Sequence, residues 1–259
     1  MRTTKPMISI IIATYNAGIY LQLCLDSIAV QRNEYLELII IDGGSTDNTI
    51  EIIEKNHKQI NYWISEPDRG IYDAWNKGLK NVSGEWVMFL GADDQLVPDA
   101  IESYTTLIKS INADNKVDFI SSQVQMIDEK GKDIRVKGWP FAWPLFLKEM
   151  TIAHTGSLHS IKLFEEYGNF DIAYKIVGDY EFLLRPGNKL NALYLNKITV
   201  IMSEGGVSDS NAAIFEQYKA VIQTGKAEKD HAIRNLIIVL LKFNTKKILR
   251  AMGLNFYLH

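Results

Sequence analysis

Cysteine is nearly missing: Cys24 is the single one in 259 residues. That excludes a disulfide framework and a cysteine-ligated zinc site, and it fits a reducing compartment. Long apolar runs are missing too, and none reaches the roughly 18–20 residues needed to span a bilayer. No basic segment leads into an apolar one at the start, so no secretion signal is expected. The sequon Asn81-Val82-Ser83 then reads as accidental. Strong positive charge is absent: the net charge is -3, which argues against nucleic acid as a partner. What is present is 47% hydrophobic and 23% charged residues, too apolar for a disordered chain. The length suits one large domain, with or without an appendage. From His231 onward there are Lys and Arg but no Asp or Glu, so the acidity belongs to the preceding residues.

The first half alternates β-branched apolar runs with helically spaced ones. Met7–Ala13, Leu36–Ile41, Asn61–Ser65, Trp86–Leu90 and Val117–Ser121 read as strands. Gly18–Val30, Thr49–His57, Ile71–Asn81 and Pro98 to about Ile111 read as the helices between them. That order predicts an α/β fold with a mostly parallel central sheet. Ligands of such sheets bind at the C-terminal strand ends. Four polar clusters fall there: Thr14-Tyr15-Asn16, Asp42-Gly43-Gly44, Glu66-Pro67-Asp68 and Asp93-Asp94.

The second half is less regular. Val124–Ile127 and Ile134–Val136, around Asp128-Glu129-Lys130-Gly131, suggest a hairpin. Gly138-Trp139-Pro140 and Trp143-Pro144 mark a loop. Lys162–Tyr167 and Tyr180–Leu184 read as helical, Ala192–Met202 as extended, and 211–229 and 231–251 as two helices.

Each polar cluster has a chemical and a structural reading. Asp93-Asp94 after a buried strand would suit a Mg²⁺ or Mn²⁺ shared with a diphosphate; it would equally suit a solvated turn. Asp42 is either a ligand's hydrogen-bond acceptor or the anchor of an Asx-turn before Gly43-Gly44. Neither a dinucleotide-binding fingerprint nor a P-loop occurs. Asp179 and Glu181 open an apolar segment, as first-turn acids of a helix or as a general base in reach of a hydroxyl. His154 is a lone histidine, the kind more often found satisfied in a core.

Five ordered stretches resemble one family: Ile8–Asn16 (ISIIIATYN), Ile41–Thr49 (IDGGSTDNT), Glu66–Gly78 (EPDRGIYDAWNKG), Gly84–Asp94 (GEWVMFLGADD) and Gly178–Arg185 (GDYEFLLR). Together they resemble the family 2 glycosyltransferases of GT-A fold, and among them the bacterial enzymes of exopolysaccharide, O-antigen and colanic-acid assembly. The resemblance spans about residues 7–210. It implies a Rossmann-like sandwich with a nucleotide-sugar half at about 7–121, an acceptor half at 122–210 and a helical tail at 211–259.

The resemblance also implies roles. Thr14, Tyr15 and Asp42 would hold the base of a UDP- or GDP-sugar, with Asn16, Gly44 and Asn76 in the same donor site. Asp68 and Arg69 would lie near the nucleotide or diphosphate. Asp93 and Asp94 would hold the ribose and a Mg²⁺ or Mn²⁺. Asp179 would be the base of a single inverting displacement. His154 and Glu181 are acceptor-side candidates, and Gly205-Gly206-Val207-Ser208 resembles a loop that closes on the donor. Four positions depart from the family pattern: Gly43, Gly91, Trp75 and Gly178 stand where Asp, Asp, Arg and Glu are common. The acceptor would be a glycan or a lipid-linked sugar. The rival readings are a sugar-nucleotidyltransferase, which would want a basic glycine-rich loop after the first strand, and an inactive module that only binds. The basic tail Arg234–Leu254 reads either as a membrane-surface helix at the cytoplasmic face or as a helix packed on the domain or on a second subunit.

Overall fold

The computed structural model describes residues 7–112, 114–128, 130–206 and 210–251. Strand β1 (Ile8–Thr14) pairs in parallel with β2 (Leu36–Asp42) and β4 (Trp86–Gly91), and β2 pairs in parallel with β3 (Tyr62–Ser65). Alternate residues of these strands serve different cores. Ile8, Ile10 and Ile12 pack with Leu21, Leu25 and Ile28 of α1 (Leu21–Ala29), Ile53 of α2 (Thr49–Lys55) and Tyr104 of α4 (Ala100–Ser110). Ile11, Ile39 and Ile41 face Tyr72 and Trp75 of α3 (Ile71–Leu79). A continuous β-branched run is what a strand covered on both faces requires.

The rest of the sheet departs from the expected elements. The expected strand at Val117–Ser121 and the first arm of the hairpin are one strand, β6 (Phe119–Ile127). It runs parallel to β9 (Ala192–Ser203), with a register shift on either side of Gln123. Buried Ser121 and Ser122 break the apolar pattern there, and Ser122 Oγ satisfies itself on Thr199 Oγ at 2.6 Å. The second hairpin arm is β7 (Asp133–Lys137), paired to β6. Two short strands went unanticipated: β5 (Gln95–Leu96), paired to β9, and β8 (Leu158–Ser160), antiparallel between β4 and β6. Neither is long enough to show alternation. The loop expected at Trp143-Pro144 is a single helical turn, α5 (Trp143–Phe146), with Pro144 in its first turn, where a missing N–H costs nothing.

On the second face lie α6 (Ile161–Tyr167), α7 (Gly178–Leu184) and α8 (Asn211–Gln223). Ser210 caps α8 by accepting from Ala213 N at 3.2 Å. Ala220 and Val221 of α8 and Ala232 of α9 (Lys229–Ala251) belong to the same buried cluster as Phe146 and Phe182. Within the expected tail at 211–259, α8 thus contributes to the core and α9 packs along α8. Glu129, Val207, Ser208 and residues 252–259 lie outside the described residues, as do residues 1–6.

Candidate active site

Register places the ends of four strands in one row. Thr14 stands beside Asp42, Asp42 beside Ser65, and Ala13 beside Gly91. Asp42 is fully buried. Thr14 Oγ1 (2.9 Å), Ser65 Oγ (2.7 Å), Ser45 N (2.8 Å), Gly44 N (3.0 Å) and Ser45 Oγ all donate to it. Burial raises its pKa, but the hydrogen bonds from Ser45, Ser65 and Thr14 outweigh burial and hold it below the usual carboxylate value. Asn16, at φ +49°, accepts from Thr46 N with Oδ1 at 2.9 Å and pins this turn to the end of β1. Gly43 is closed in: a Cβ there would lie 2.5 Å from Asp68 Oδ2 and 3.4 Å from the Tyr15 ring. Tyr15, 67% exposed, and half-buried Asp68 thus fill the space over the Gly43 backbone.

The turn after β4 carries Asp93 and Asp94. A Cβ on Gly91 would lie 2.8 Å from a carboxylate oxygen of each, so the Asp that the family often carries there would crowd both. Asp93 is exposed and Asp94 buried. Asp94 Oδ2 accepts from Gly91 N at 2.9 Å and Thr155 Oγ1 at 2.6 Å. Burial pushes its pKa up to about 6, against the pull of the Thr155 hydrogen bond and with the help of Asp93's charge. A buried carboxylate so short of partners fits a hard divalent cation. Mg²⁺ typically takes one or two carboxylates and completes its shell with phosphate and water. Among the described residues no cluster of three or more His, Cys, Asp or Glu forms a cage, so phosphate would have to supply the remaining ligands.

Asp179 lies in the first turn of α7, with its side chain 18% exposed. Tyr72 OH is 3.0 Å from Oδ1, and His154 Nδ1 is 3.8 Å from Oδ2. Lys175, just upstream, reaches Arg69 O with Nζ at 2.8 Å, tying the α7 entry to the turn after β3. From α8, Glu216 accepts the backbone N–H groups of Lys175, Ile176 and Val177 at 2.9–3.1 Å.

This edge can now be set beside known proteins. The family model of Glycosyl transferase family 2 matches residues 9–167. The chain belongs to glycosyltransferase family 2. A PGL/p-HBAD biosynthesis glycosyltransferase of Mycobacterium bovis is 30% identical over 254 residues, covering 95% of this chain and 94% of that one. Among solved structures, S. aureus TarS in complex with UDP-GlcNAc has a TM-score of 0.66 at 19% identity, covering 89% of this chain and 70% of that one. The mannosyltransferase PcManGT from Pyrobaculum calidifontis, in complex with GDP-Man and Mn²⁺, has a TM-score of 0.61 at 20% identity, covering 90% and 70%. At those identities the likeness is one of fold, and that fold is GT-A, as expected. The matched residues hold four of the five stretches that carried the resemblance, and the chain is a glycosyltransferase.

Within this glycosyltransferase the structure separates the expected site residues. Tyr15, Asp68, Arg69 and Asp93 stay accessible at the strand ends. Arg69 is exposed, with Nε 3.6 Å from Asp73. Thr14 and Asp42 are buried and hydrogen-bonded to each other and to the turn. Gly44, at φ +86°, shapes that turn. The amide of Asn76 donates to Phe170 O at 2.9 Å and accepts from Phe170 N at 3.0 Å, and so clamps α3 to the second half. Glu181 is buried, ion-paired to Arg185 at 2.6 Å and bonded to Thr224 Oγ1 at 2.8 Å, away from Asp179's partners. His154 reaches the site through Asp179. Gly205, at φ +107°, and Gly206 follow β9 and are exposed, and the loop then leaves the described residues. Sequence reading missed Tyr72, Thr155 and Glu216. Tyr72 lies inside one of the quoted motifs; the other two carry no local signal.

Proposed function

We propose that this glycosyltransferase moves a sugar from a UDP- or GDP-linked donor to an acceptor hydroxyl with inversion, Asp179 serving as the base. One observation carries the reading. Adjacent residues His154 and Thr155 touch Asp179 and Asp94, so a carboxylate able to take a proton and a carboxylate suited to a cation stand at the two ends of one dipeptide. The bound UDP-GlcNAc of TarS and the GDP-Man and Mn²⁺ of the Pyrobaculum enzyme support the donor class.

The chain's residues divide the work. Tyr15 and Asp68 receive the nucleoside at the turn after β2, and Arg69 supplies positive charge beside Asp68. Asp179 takes the acceptor's hydroxyl proton. The acceptor oxygen bonds to the anomeric carbon as the bond to the diphosphate breaks, its electron pair leaving on the diphosphate oxygen. One displacement inverts the configuration. Asp93 and Asp94 would hold a Mg²⁺ or Mn²⁺, whose chemistry when bound is to offset charge on the departing nucleoside diphosphate.

The setting we infer is bacterial surface-polysaccharide assembly at the cytoplasmic membrane face, on a glycan or lipid-linked acceptor. No helix among the described residues is long and apolar enough to cross a membrane. Helix α9 instead leaves Ile233, Ile237, Leu241 and Ile248 exposed at near-helical spacing. Lys242 and Lys247 are exposed beside them, and no acid follows Asp230. An apolar stripe flanked by basic residues alone matches an anionic lipid surface, which offers both an apolar layer and negative charge.

Turnover of UDP- and GDP-sugars with and without Mn²⁺ tests the reaction. One donor should release its nucleoside diphosphate in a metal-dependent way, with an inverted anomer by NMR, and Asp179→Asn should abolish this while keeping the donor's thermal shift. Release from no donor, or a retained configuration, sinks the reading. For α9, the protein should sediment with phosphatidylglycerol vesicles and not with phosphatidylcholine ones, and Ile237→Ser with Leu241→Ser should free it. If that double variant instead dissolves a dimer in the ultracentrifuge and vesicles bind neither form, a second copy covers the stripe.

A further inference from the structure

We propose that Tyr72 and His154 are positioning residues that hold the Asp179 carboxylate toward the acceptor hydroxyl. The inference rests on Asp179 being the base, and it adds how that base is aimed. Each carboxylate oxygen has one neighbour. Tyr72 OH lies 3.0 Å from Oδ1 and His154 Nδ1 lies 3.8 Å from Oδ2, leaving the carboxylate free on its open side.

Tyr72 has a second partner. Its hydroxyl is 2.7 Å from Ile176 O as well as 3.0 Å from Asp179 Oδ1. A phenol has one proton and here two acceptors. With Asp179 ionised, the proton serves the carboxylate. With Asp179 protonated, the phenol donates to Ile176 O instead, and no buried donor is stranded. The holder therefore works in both protonation states that a base must visit, without the cost of an unmet buried polar group. Tyr72 keeps its own proton throughout, since burial and the neighbouring Asp179 charge push its pKa far up.

The close approach also explains a departure in the sequence. The helix bearing Asp179 begins with Gly178, where family members often carry Glu. A Cβ at position 178 would sit 2.9–3.0 Å from three ring carbons of Tyr72. Glycine leaves room for the tyrosine to reach the carboxylate.

His154 is packed among aromatic rings. Its ring stacks with Trp75 (centroids 5.3 Å, 27°) and Phe89 (5.6 Å, 19°), so it has little freedom to turn. Burial lowers its pKa against the pull of Asp179, which keeps the imidazole neutral. A neutral ring has one N–H. Nε2 is buried without a partner, so the proton belongs on Nδ1, facing Asp179, and only a lone pair is left unmet. The next residue, Thr155, holds Asp94. Aiming the base and placing the cation-side carboxylate are thereby mechanically joined.

The test uses the full chain and donor hydrolysis, with water as acceptor. Tyr72→Phe and His154→Phe each keep the ring and lose the polar atom. Each should lower kcat about 10–100-fold, the range of a misaligned general base. Donor KM should stay within about twofold and the thermal midpoint should barely move. His154→Asn, whose amide nitrogen can take the place of Nδ1, should recover most of the lost kcat. An unchanged kcat in both phenylalanine variants overturns the proposal, and so does equal loss in His154→Asn and His154→Phe. If a phenylalanine variant unfolds, the asparagine variant alone decides, by its kcat at unchanged KM. Asp179→Asn separates the two levels: activity surviving there removes the base assignment, and this inference with it. Activity lost there but intact in Tyr72→Phe and His154→Phe removes the positioning alone.

Discussion

The turns after β2 and β4 both bury an aspartate at the same sheet edge, and their surroundings push the two carboxyls in opposite directions. Asp42 accepts from two backbone N–H groups and three hydroxyls, and these hold its pKa low despite burial. Asp94 accepts from one N–H and one hydroxyl, and its pKa rises to about 6. Burial raises both; more donors overcome it at Asp42, whereas at Asp94 the charge of Asp93 adds to it. A carboxylate the fold has saturated is part of the scaffold. One left short of partners, beside a second carboxylate, is suited to a cation that comes from outside.

The largest effect that would break this contrast is at Asp42. Replacement by Ala strands the donors of Ser45, Gly44, Ser65 and Thr14 in a closed turn. We expect a loss of about 3–5 kcal/mol in denaturant unfolding, the range for removing one partner of a buried charged network. A loss below about 1 kcal/mol would show the turn to be held by its backbone alone.

Asp94 should behave in the reverse sense. Its folded pKa of about 6 lies above the ordinary carboxylate value of 3.8, so the folded state holds its proton more tightly. Without metal, its stabilising contribution is full below about pH 4 and is lost as pH rises through 6. Asp42, lowered in the fold, contributes above its unfolded value, and that contribution is lost as pH falls through its folded one. Asp94→Asn should therefore stabilise the metal-free protein at pH 8 by about 3 kcal/mol, at roughly 1.4 kcal/mol per pKa unit. It should also remove most of the Mn²⁺-induced thermal shift, which in the unaltered chain should shrink as pH falls below 6. Melting curves at pH 5 and 8, with and without Mn²⁺, read both signs at once. A destabilised, still Mn²⁺-responsive Asp94→Asn would place Asp94 with Asp42 as scaffold.

The same contrast explains how far the sequence could be read. The parallel strands were visible because a strand covered on both faces is apolar nearly throughout, as in Ile10–Ile12 and Leu38–Ile41. The polar turns at their ends were visible as motifs. What each turn residue does was not, because that depends on partners far along the chain. Asp42 answers to Ser65, Asp94 to Thr155, and the loop before Asp179 to Glu216 on α8. β8, which carries the chain from His154-Thr155 back into the sheet, is three residues long and gives no periodic signal. Ser121 and Ser122 hid the continuity of β6, since a hydroxyl pair in a strand looks like its end until Thr199 is seen across from it.

Asn76 is the smallest and sharpest case. It lies in the motif EPDRGIYDAWNKG beside the donor edge, and its position invites a ligand role. Its amide nevertheless closes two hydrogen bonds on the backbone of one residue, Phe170, whose ring packs against Tyr72 and Trp75. Two part-buried hydrogen bonds at roughly 0.5–1.5 kcal/mol each set the scale, so Asn76→Ala should cost about 1–2 kcal/mol. Nucleoside diphosphate affinity, read by calorimetry on the folded variant, should stay within about twofold. Because Phe170 packs on the same α3 residues that bear on Asp179, a modest fall in kcat can accompany that unchanged affinity. A tenfold weaker nucleotide at unchanged stability would instead mean that the amide turns from Phe170 to the ligand on binding, and that an apparently saturated group can still be recruited.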